Sequence, residues 1–445
     1  MLLTEKEAKE LTDKILSFVK ADDAQVSVSS EKNSHLRFAR NAFLTSGNTV
    51  ERSANITVWI KGKRGASSTN DFSDESLKAM VEQAQQVAEI SPVDREYLPT
   101  LGAQTYKPSN GFVESTANLS LTNRAKIIGG ILKDSAKSGV ISAGFHQTQA
   151  TAQGFATKNG NFGFERRTVA GLSVTARTED GTSSGYFARS HFDIGRLDTD
   201  RIARESIRKA LEGRNAKIIE PGIYNVILEP QAVADLLGGL SFQFDARSAE
   251  EGRSPYSLKD GKTKIGQKIF DERLNIYSDP WNAELPASAS AQGGIPAQKV
   301  YLVKNGVLDN LIYSRFWAKK SGKEPTAGPV NTIMESSEKA STLEEMIAAT
   351  KKGLIISRFF YIRGTDPRTA SVTGLTRDGI WMIENGKITT PVRNFRFNQS
   401  IIQMLASGNI EMIGAPERVG DGTSASLLPA LKLKAFNFTS ASDAV

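Results

Sequence analysis

The chain has 445 residues, of which 39% are hydrophobic and 24% charged, and its formal net charge is +7. This length exceeds the usual size of one hydrophobic core, so we expect two or three domains in an ordinary globular protein. Cysteine is absent, which excludes disulfides and thiolate metal sites. The three histidines, His35, His146 and His191, occur in unrelated segments, so we do not expect a three-histidine zinc site.

Neither a signal peptide nor a membrane span is visible in the sequence. The N-terminus, MLLTEKEAKELTDKI, carries charges from residue 5 onward and has no apolar segment typical of a leader. No stretch approaches the roughly 18 consecutive apolar residues of a membrane helix. Basic residues are scattered, and the densest cluster is KGKRG at 61–65. We therefore expect a cytoplasmic protein without a membrane partner, and we do not expect nucleic acid to bind.

Residues 1–215 predict a duplicated α+β region. Apolar residues recur at helical spacing over residues 4–20 and again over 73–91, and the alternating segments between them predict a small antiparallel sheet. The same order returns with helical patterns at 121–139 and 198–213. We interpret residues 1–110 and 111–220 as two helix–sheet–helix units, the second a possible repeat of the first.

From residue 221 to residue 445 the pattern predicts a β-rich domain. Pro221 and Gly222 break the preceding pattern, and two later hairpins have Asn-Gly at the turn, at 305–306 and 385–386. Asn-Gly tolerates the positive φ angles of a type I′ turn. We predict an α+β fold in which the N-terminal region is followed by a mostly antiparallel sheet or barrel.

Two long loops in the C-terminal domain, 245–268 and 279–298, are rich in Gly, Ser, Pro and charged residues. Long loops beside a rigid sheet often carry binding sites, although a flexible linker has the same composition. We favour a functional groove over a linker.

Four ordered segments of the sequence resemble the TldD/PmbA family, whose members have been described as modulators of DNA gyrase and as peptidases. The segments are AGLSVTAR (170–177), NGVLDNLIYSR (305–315), DGIWMIENGKITTPVRNFRFNQS (378–400) and APERVGDGTSASLLPALKLKAFNFTS (415–440). The catalytic branch of that family carries His-Glu-x-x-x-His on a helix after a strand, with a cysteine elsewhere. The imidazoles and the thiolate hold Zn²⁺, and the glutamate takes a proton from the zinc-bound water.

The positions that the resemblance assigns to this motif lack its chemistry. Counting from the predicted strand at 224–228 and from Pro230, they are Gly238, Gly239 and Gln243. No histidine follows His191, and the chain has no cysteine. The resemblance therefore implies the PmbA (TldE-like) branch, whose members lack the motif and pair with a zinc-bearing TldD subunit that cleaves unstructured peptides. We expect no catalytic residue, no metal ligand and no cofactor on this chain, with zinc only on a partner.

The first functional hypothesis is a non-catalytic subunit that helps to form a peptide groove and is inactive alone. It implies a homodimer or a heterodimer with a TldD-like zinc-bearing subunit, and an unstructured peptide bound as an added β-strand. The adjacent glycines at 238 and 239 fit this hypothesis because they leave room in a groove. They fit a close packing contact between backbones equally well.

Two alternatives remain open at this stage. An independent hydrolase would use relocated metal or acid/base chemistry, for which the long loops offer Asp245, Glu250, Glu251, Asp279 and Glu284. A DNA gyrase-associated regulator is the weaker alternative, because no DNA-binding motif accompanies the basic pI.

Overall fold

The computed structural model describes residues 1–238, 241–420, 422 and 425–442. The α-helices are α1 (Glu5–Ser17), α2 (Asp74–Ile90), α3 (Glu114–Ala117), α4 (Leu121–Lys137), α5 (Thr199–Glu212), α6 (Pro230–Leu237), α7 (Ala246–Glu250), α8 (Arg315–Ser321), α9 (Leu343–Ala348) and α10 (Ile401–Met404). The strands are β1 (Asp23–Ala39), β2 (Ala42–Ile60), β3 (Lys63–Thr69), β4 (Val140–Thr157), β5 (Phe162–Thr178), β6 (Ser184–His191), β7 (Gly222–Leu228), β8 (Leu274–Ser278), β9 (Val300–Lys304), β10 (Val307–Leu308), β11 (Ile333–Ser336), β12 (Lys352–Asp366), β13 (Ser371–Glu384), β14 (Lys387–Pro391), β15 (Phe395–Ser400), β16 (Ile410–Ile413), β17 (Glu417–Val419), β18 (Ser426–Leu428) and β19 (Leu431–Ala441).

The N-terminal region is one antiparallel sheet with the strand order β3-β2-β1-β4-β5-β6. The strands of the two predicted units meet at the central β1–β4 pair, so the units share a sheet and do not form separate ones. Helices α1, α2, α4 and α5 pack on this sheet. The boundaries at residues 110 and 220 stay a prediction.

The helices form where the sequence pattern places them. Helix α1 begins after Thr4, whose side chain accepts from the Glu7 backbone N–H while the Glu7 carboxylate accepts from the Thr4 backbone, a capping box. Helix α2 approaches β3 so closely that a Cβ at Gly65 would lie 2.0 Å from the Ala84 carbonyl oxygen. Helix α5 makes the same close approach to β6 at Gly185. A glycine is therefore required beneath the last helix of each unit.

The C-terminal domain contains a ring of paired strands. β7 pairs with β12 and β19, β12 with β13, β13 with β15, and β15 with β19, which closes the ring. Among the pairs of this ring, only β7–β12 is parallel. Apolar side chains fill the interior, including Phe359, Phe397 and Phe436, which contact one another. A second sheet has the order β10-β9-β8-β11-β18-β17. The predicted α+β fold with a C-terminal antiparallel sheet or barrel is confirmed.

Both Asn-Gly turns have the predicted conformation. Asn305 and Gly306 have φ angles of 49° and 75° between β9 and β10, and Asn385 and Gly386 have 50° and 77° between β13 and β14. Positive φ at both central residues defines the type I′ turn. The two hairpins are therefore set by local sequence.

Ion pairs, one of them buried, join the N-terminal sheet and its helices to the C-terminal domain. The Lys209 ammonium on α5 is 2% exposed and lies 2.5 Å from the Glu229 carboxylate, which immediately precedes α6. The Glu417 carboxylate on β17 accepts hydrogen bonds from Arg189 on β6 and Arg201 on α5. These contacts hold the N-terminal sheet against the C-terminal domain. No helix in the described residues is long and apolar enough to cross a bilayer.

Candidate functional site

The first motif position, Gly238, lies at the end of helix α6. This helix follows β7 directly, with Pro230 in its first turn, and its apolar face is buried against the barrel. Gly238 has helical φ and ψ angles of −52° and −31°, and its N–H donates to the Ala234 carbonyl at 3.1 Å. The residue is exposed, and among the described residues beyond its immediate chain neighbours an added Cβ would come no closer than 3.8 Å to any atom. Close packing therefore does not explain this glycine; Gly239 lies outside the described residues.

An open cleft borders the end of α6, and we call it the α6 cleft. One part of it has a volume of about 430 Å³, and an adjoining part of about 430 Å³ extends towards loop 245–268. Both parts are lined by Gln243, Asp366 and Pro367. The Gln243 backbone carbonyl accepts from the Ser254 hydroxyl, whereas no described residue hydrogen-bonds its side-chain amide. The motif positions Gly238 and Gln243 thus share one cavity, with a free amide at its wall.

The opposite wall of the α6 cleft is the outer part of strand β12. This strand pairs with β7 only over residues 354–356, whereas its pairing with β13 continues to Asp366. The Phe359 N–H donates to the Asp235 carboxylate at 2.8 Å. Beyond Phe359, no described strand pairs with the edge of β12 that faces away from β13. Residues 362 and 364–366 of this segment line the cleft. An unpaired strand edge beside a cavity is the geometry that accepts an extended peptide by β-augmentation.

The carboxylates that line the α6 cleft are held by hydrogen bonds. Asp235 accepts from the Gln231 amide and from the Phe359 N–H, both at 2.8 Å. The pKa of Asp366 is lowered, chiefly because its carboxylate accepts a hydrogen bond from the Arg368 backbone. Among the residues that the structure describes, no three His, Asp or Glu side chains are grouped so that they could hold a metal ion. The cleft offers binding surface, and its two carboxylates already accept hydrogen bonds from the protein.

In the first long loop, Asp245 and Glu250 hold the loop in place. Asp245 is the N-cap of α7, and its carboxylate accepts from the Ser248 N–H at 2.8 Å. The Glu250 side chain is 15% exposed and accepts from the Tyr313 hydroxyl, the Trp317 indole N–H and the Ser321 hydroxyl at 2.7 to 2.8 Å. Burial raises the Glu250 pKa, but these hydrogen bonds and Lys323 outweigh it and the pKa is lowered.

Glu251 and Asp279 also have partners nearby. Glu251 is exposed and forms ion pairs with Arg247 and Arg253, which lower its pKa. Asp279 accepts from the Trp281 N–H at 3.1 Å and lies 3.6 Å from the Lys299 ammonium. Both carboxylates are therefore engaged by neighbouring cations.

Glu284, in the second long loop, is the one predicted carboxylate that approaches a histidine. Its carboxylate accepts two hydrogen bonds from Arg196, each 2.7 Å, and lies 3.9 Å from the His191 Nε2. The pKa of His191 is lowered to about 4 by burial and by Arg418 and Arg196, so the imidazole is neutral at pH 7. Asp193 instead accepts from the Gly195 N–H. The five predicted loop carboxylates therefore do not converge on one site.

A feature missed at the sequence level is the polar face of strands β4 and β5. In the segment QTQATAQ (147–153), Ala150 and Ala152 are buried on the helix side of the sheet, and by the twofold alternation of a strand Gln149, Thr151 and Gln153 lie on the other face. That face contacts loop 279–298, where Glu165 accepts from the Ser288 hydroxyl at 2.9 Å. The alternation of Gln and Thr with Ala was the available signal.

The fold is an α+β sheet region followed by a β-rich domain with an open cleft, and comparison with family models gives its class. Three models match in order: PmbA/TldA metallopeptidase domain 1 over residues 24–88, the central domain over 123–214 and the C-terminal domain over 221–440. The chain belongs to the PmbA/TldD family.

Related sequences and structures agree with this class. The chain is 31% identical over 234 residues to an uncharacterised protein of Methanocaldococcus jannaschii, covering 51% of this chain and 53% of that protein. It is 25% identical over 280 residues to a metalloprotease of Methanothermobacter thermautotrophicus (57% and 58%). It is also 23% identical over 299 residues to a metalloprotease TldD homologue of Buchnera aphidicola (60% and 59%). The chain thus spans just over half the length of these relatives.

Solved structures show the same fold over nearly the whole chain. TldE from Thermococcus kodakarensis superposes with a TM-score of 0.86 at 16% identity, covering 97% of this chain and 99% of that one. A proposed modulator of a DNA gyrase from Thermotoga maritima superposes with a TM-score of 0.84 at 18% identity, covering 97% and 100%. At these identities the likeness establishes the fold.

Proposed function

We propose that this chain is a non-catalytic, TldE/PmbA-like subunit of a TldD/TldE-type metalloprotease, and that it helps to hold an unstructured peptide substrate. The observation that carries the proposal is the α6 cleft. The positions matched to the zinc motif line an open cavity, yet they supply a glycine and a glutamine where the motif needs histidines. The family assignment supports a hydrolytic partner of the TldD type.

The wall of the cleft supports a role in holding peptide. The unpaired edge of β12 presents backbone donors and acceptors to an extended chain, and the Gln243 amide adds one donor and one acceptor. Recognition through backbone hydrogen bonds depends little on side chains, which suits an enzyme that takes unstructured peptides of varied sequence. Zinc belongs to the partner in this proposal, and both proteins act in the cytoplasm.

The carboxylate geometry does not favour the alternative of an independent hydrolase. Each of the five loop carboxylates has its own structural partner, and a metal ion would have to displace those partners first. A gyrase-associated role has no supporting observation beyond the description of one structural neighbour.

The proposal is tested by reconstitution with a TldD-type subunit that bears the motif, preferably the one from the same host. We expect neither this chain nor chelator-treated complex to cleave an unstructured peptide, and the zinc-loaded complex to cleave it. The variant Gly238→Trp should fill the α6 cleft, because Gly238 has helical angles and no described atom beyond its immediate chain neighbours would lie closer than 3.8 Å to an added Cβ. It should lower kcat/KM of the complex by about tenfold or more.

The matched control is Gly130→Trp on α4, where an added Cβ meets no described atom within 4 Å. This variant should leave kcat/KM unchanged. Chelator-sensitive cleavage by the isolated chain would overturn the proposal, and so would a Gly238→Trp complex as active as the control.

A further inference from the structure

A second cavity, of about 160 Å³, lies between the polar face of β4–β5 and loop 279–298, and we call it the sheet–loop cavity. Its floor includes two directly opposed cross-strand pairs, Thr151 with Arg167 and Gln153 with Glu165. Arg418 and the loop close it from the C-terminal domain. It shares no lining residue with the α6 cleft, and its volume exceeds by about tenfold what one water needs.

Arg167 supplies an uncompensated positive charge to this cavity. Its guanidinium makes neither a hydrogen bond nor an ion pair with any residue in the described ranges, although the side chain is half-buried. The Glu165 carboxylate, two residues away on the same strand, is already held by the Ser288 hydroxyl and the Ala289 N–H. A half-buried guanidinium with its donors unused is costly unless a ligand or water accepts from it.

Arg418 supplies the second charge, held in place by backbone carbonyls. Its Nε donates to the Ser190 carbonyl and its Nη1 to the Glu284 carbonyl, both at 2.6 Å, and its Nη2 donates to no described residue. The Arg418 pKa is lowered to about 10, first by burial and also by Arg167 and Arg196, against the attraction of Glu284. The two cavity arginines are thus close enough to repel each other.

The charges that line the sheet–loop cavity select the class of ligand. Two arginines and one glutamate give a net charge of +1, which one singly charged anion neutralises. Arginine binds planar oxyanions through paired N–H donors, and the Gln149 and Gln153 amides can both donate and accept beside it. We infer that the sheet–loop cavity binds a carboxylate, with Arg167 and Arg418 as its donors. The inference does not depend on the proposed protease role.

A carboxylate could reach this cavity from two sources, a free small acid or the C-terminal end of a peptide. The test uses calorimetry on the whole chain, without a partner subunit and at low salt, with four probes. The probes are acetate, N-acetyl-Ala-Ala with a free carboxylate, the same dipeptide with a C-terminal amide, and inorganic phosphate. We expect a carboxylate probe to bind and the amide to bind at least tenfold more weakly. Tighter binding of the dipeptide than of acetate assigns the site to a chain end, and equal affinity assigns it to a free acid.

Arg167→Gln is the decisive variant because the Arg167 side chain forms no hydrogen bond or ion pair with any residue that the structure describes. It should weaken carboxylate binding at least tenfold and leave the thermal midpoint unchanged or higher, since like-charge repulsion is removed. The control, Arg204→Gln, removes the same charge from an exposed position on α5 and should leave binding unchanged. Undiminished binding by Arg167→Gln, no binding of either carboxylate at millimolar concentration, or tighter binding of phosphate than of both carboxylates would each overturn the inference.

Discussion

The two long loops of the C-terminal domain use their carboxylates in different ways. The side chain of Glu250 in loop 245–268 is 15% exposed, and its carboxylate accepts hydrogen bonds from Tyr313 and Trp317 of the same domain. Glu284 in loop 279–298 turns outward and is 50% exposed, and its Arg196 partner belongs to the N-terminal region. One loop is thus anchored internally, and the other is tied across the molecule beside the sheet–loop cavity.

This difference shows how acidic residues on long loops should be interpreted. Both loops have the composition that suggests a metal site or an acid/base pair, yet each carboxylate has a partner that fixes loop conformation. The energetic contribution of each partner depends on its burial. A buried carboxylate that satisfies several donors contributes far more than an exposed ion pair screened by water. The predictions below test that ranking.

The largest effect is expected for Glu250→Ala. The change leaves the Tyr313 hydroxyl, the Trp317 indole N–H and the Ser321 hydroxyl without their acceptor, and should lower the free energy of unfolding by about 3 kcal/mol. Urea unfolding measures it. The neighbouring Glu251→Ala removes exposed ion pairs only and should cost about 0.5 kcal/mol or less. Equal losses for the two variants would contradict the ranking.

The same carboxylate predicts a pH dependence. The Glu250 pKa is lowered in the folded protein from an ordinary value of 4.5, so the unfolded chain binds the proton more tightly. The stabilisation is therefore fully present above about pH 4.5 and is lost as the pH falls through the lower folded pKa. Unfolding measured between pH 7 and pH 3 should show a smaller acid-induced loss for Glu250→Ala than for the wild type. Parallel curves for the two proteins would count against the lowered pKa.

An intermediate effect is expected for Asp245→Ala. Removing the N-cap of α7 should cost about 1 kcal/mol, whereas Asp245→Asn keeps a capping oxygen and should stay close to the wild type. The asparagine variant also separates capping from chemistry. If Asp245 were a metal ligand or a general base, the reconstituted complex would lose peptidase activity with asparagine although stability was kept.

The smallest global effect is expected for Glu284→Gln. Its pair with Arg196 is half exposed, so the free energy of unfolding should change by about 0.5 kcal/mol or less. Amide hydrogen exchange in loop 279–298 should nevertheless accelerate, because the side-chain link from that carboxylate to Arg196 is lost. Glu272→Gln, which breaks an exposed pair with Lys268 outside the loop, is the control. Faster exchange in both variants would remove the special role of Glu284.

Local features of the fold were predictable from sequence, and non-local ones were not. The helices within residues 4–20 and 73–91 and both Asn-Gly turns depend on neighbouring residues, and the structure confirms them. The pairing of β7 with β12 and β19, which completes the ring, and the free edge of β12 beyond Phe359 depend on which distant segments meet. The alternation of apolar and polar residues indicates which face of a strand is buried, but it does not indicate which other strand pairs with it.

For the candidate site, too, local features could be predicted from the sequence and tertiary contacts could not. The sequence alone indicated that no histidine follows residue 191 and that Gly238 and Gln243 lack metal-binding side chains. It did not indicate that these two residues share a cavity with the β12 edge, or that Arg167 and Arg418 line another, because each pair is brought together by tertiary packing. The loop carboxylates looked available because composition does not show their partners, some of which lie in the same loop and some on distant segments.

We propose above all that this chain holds no hydrolytic zinc ion of its own. The most direct test is elemental mass spectrometry of the purified chain after incubation with zinc and exhaustive dialysis, beside the zinc-bearing partner treated identically. We expect far less than one zinc ion per chain for this protein and about one for the partner. Retention of one zinc ion per chain by this protein alone would contradict it.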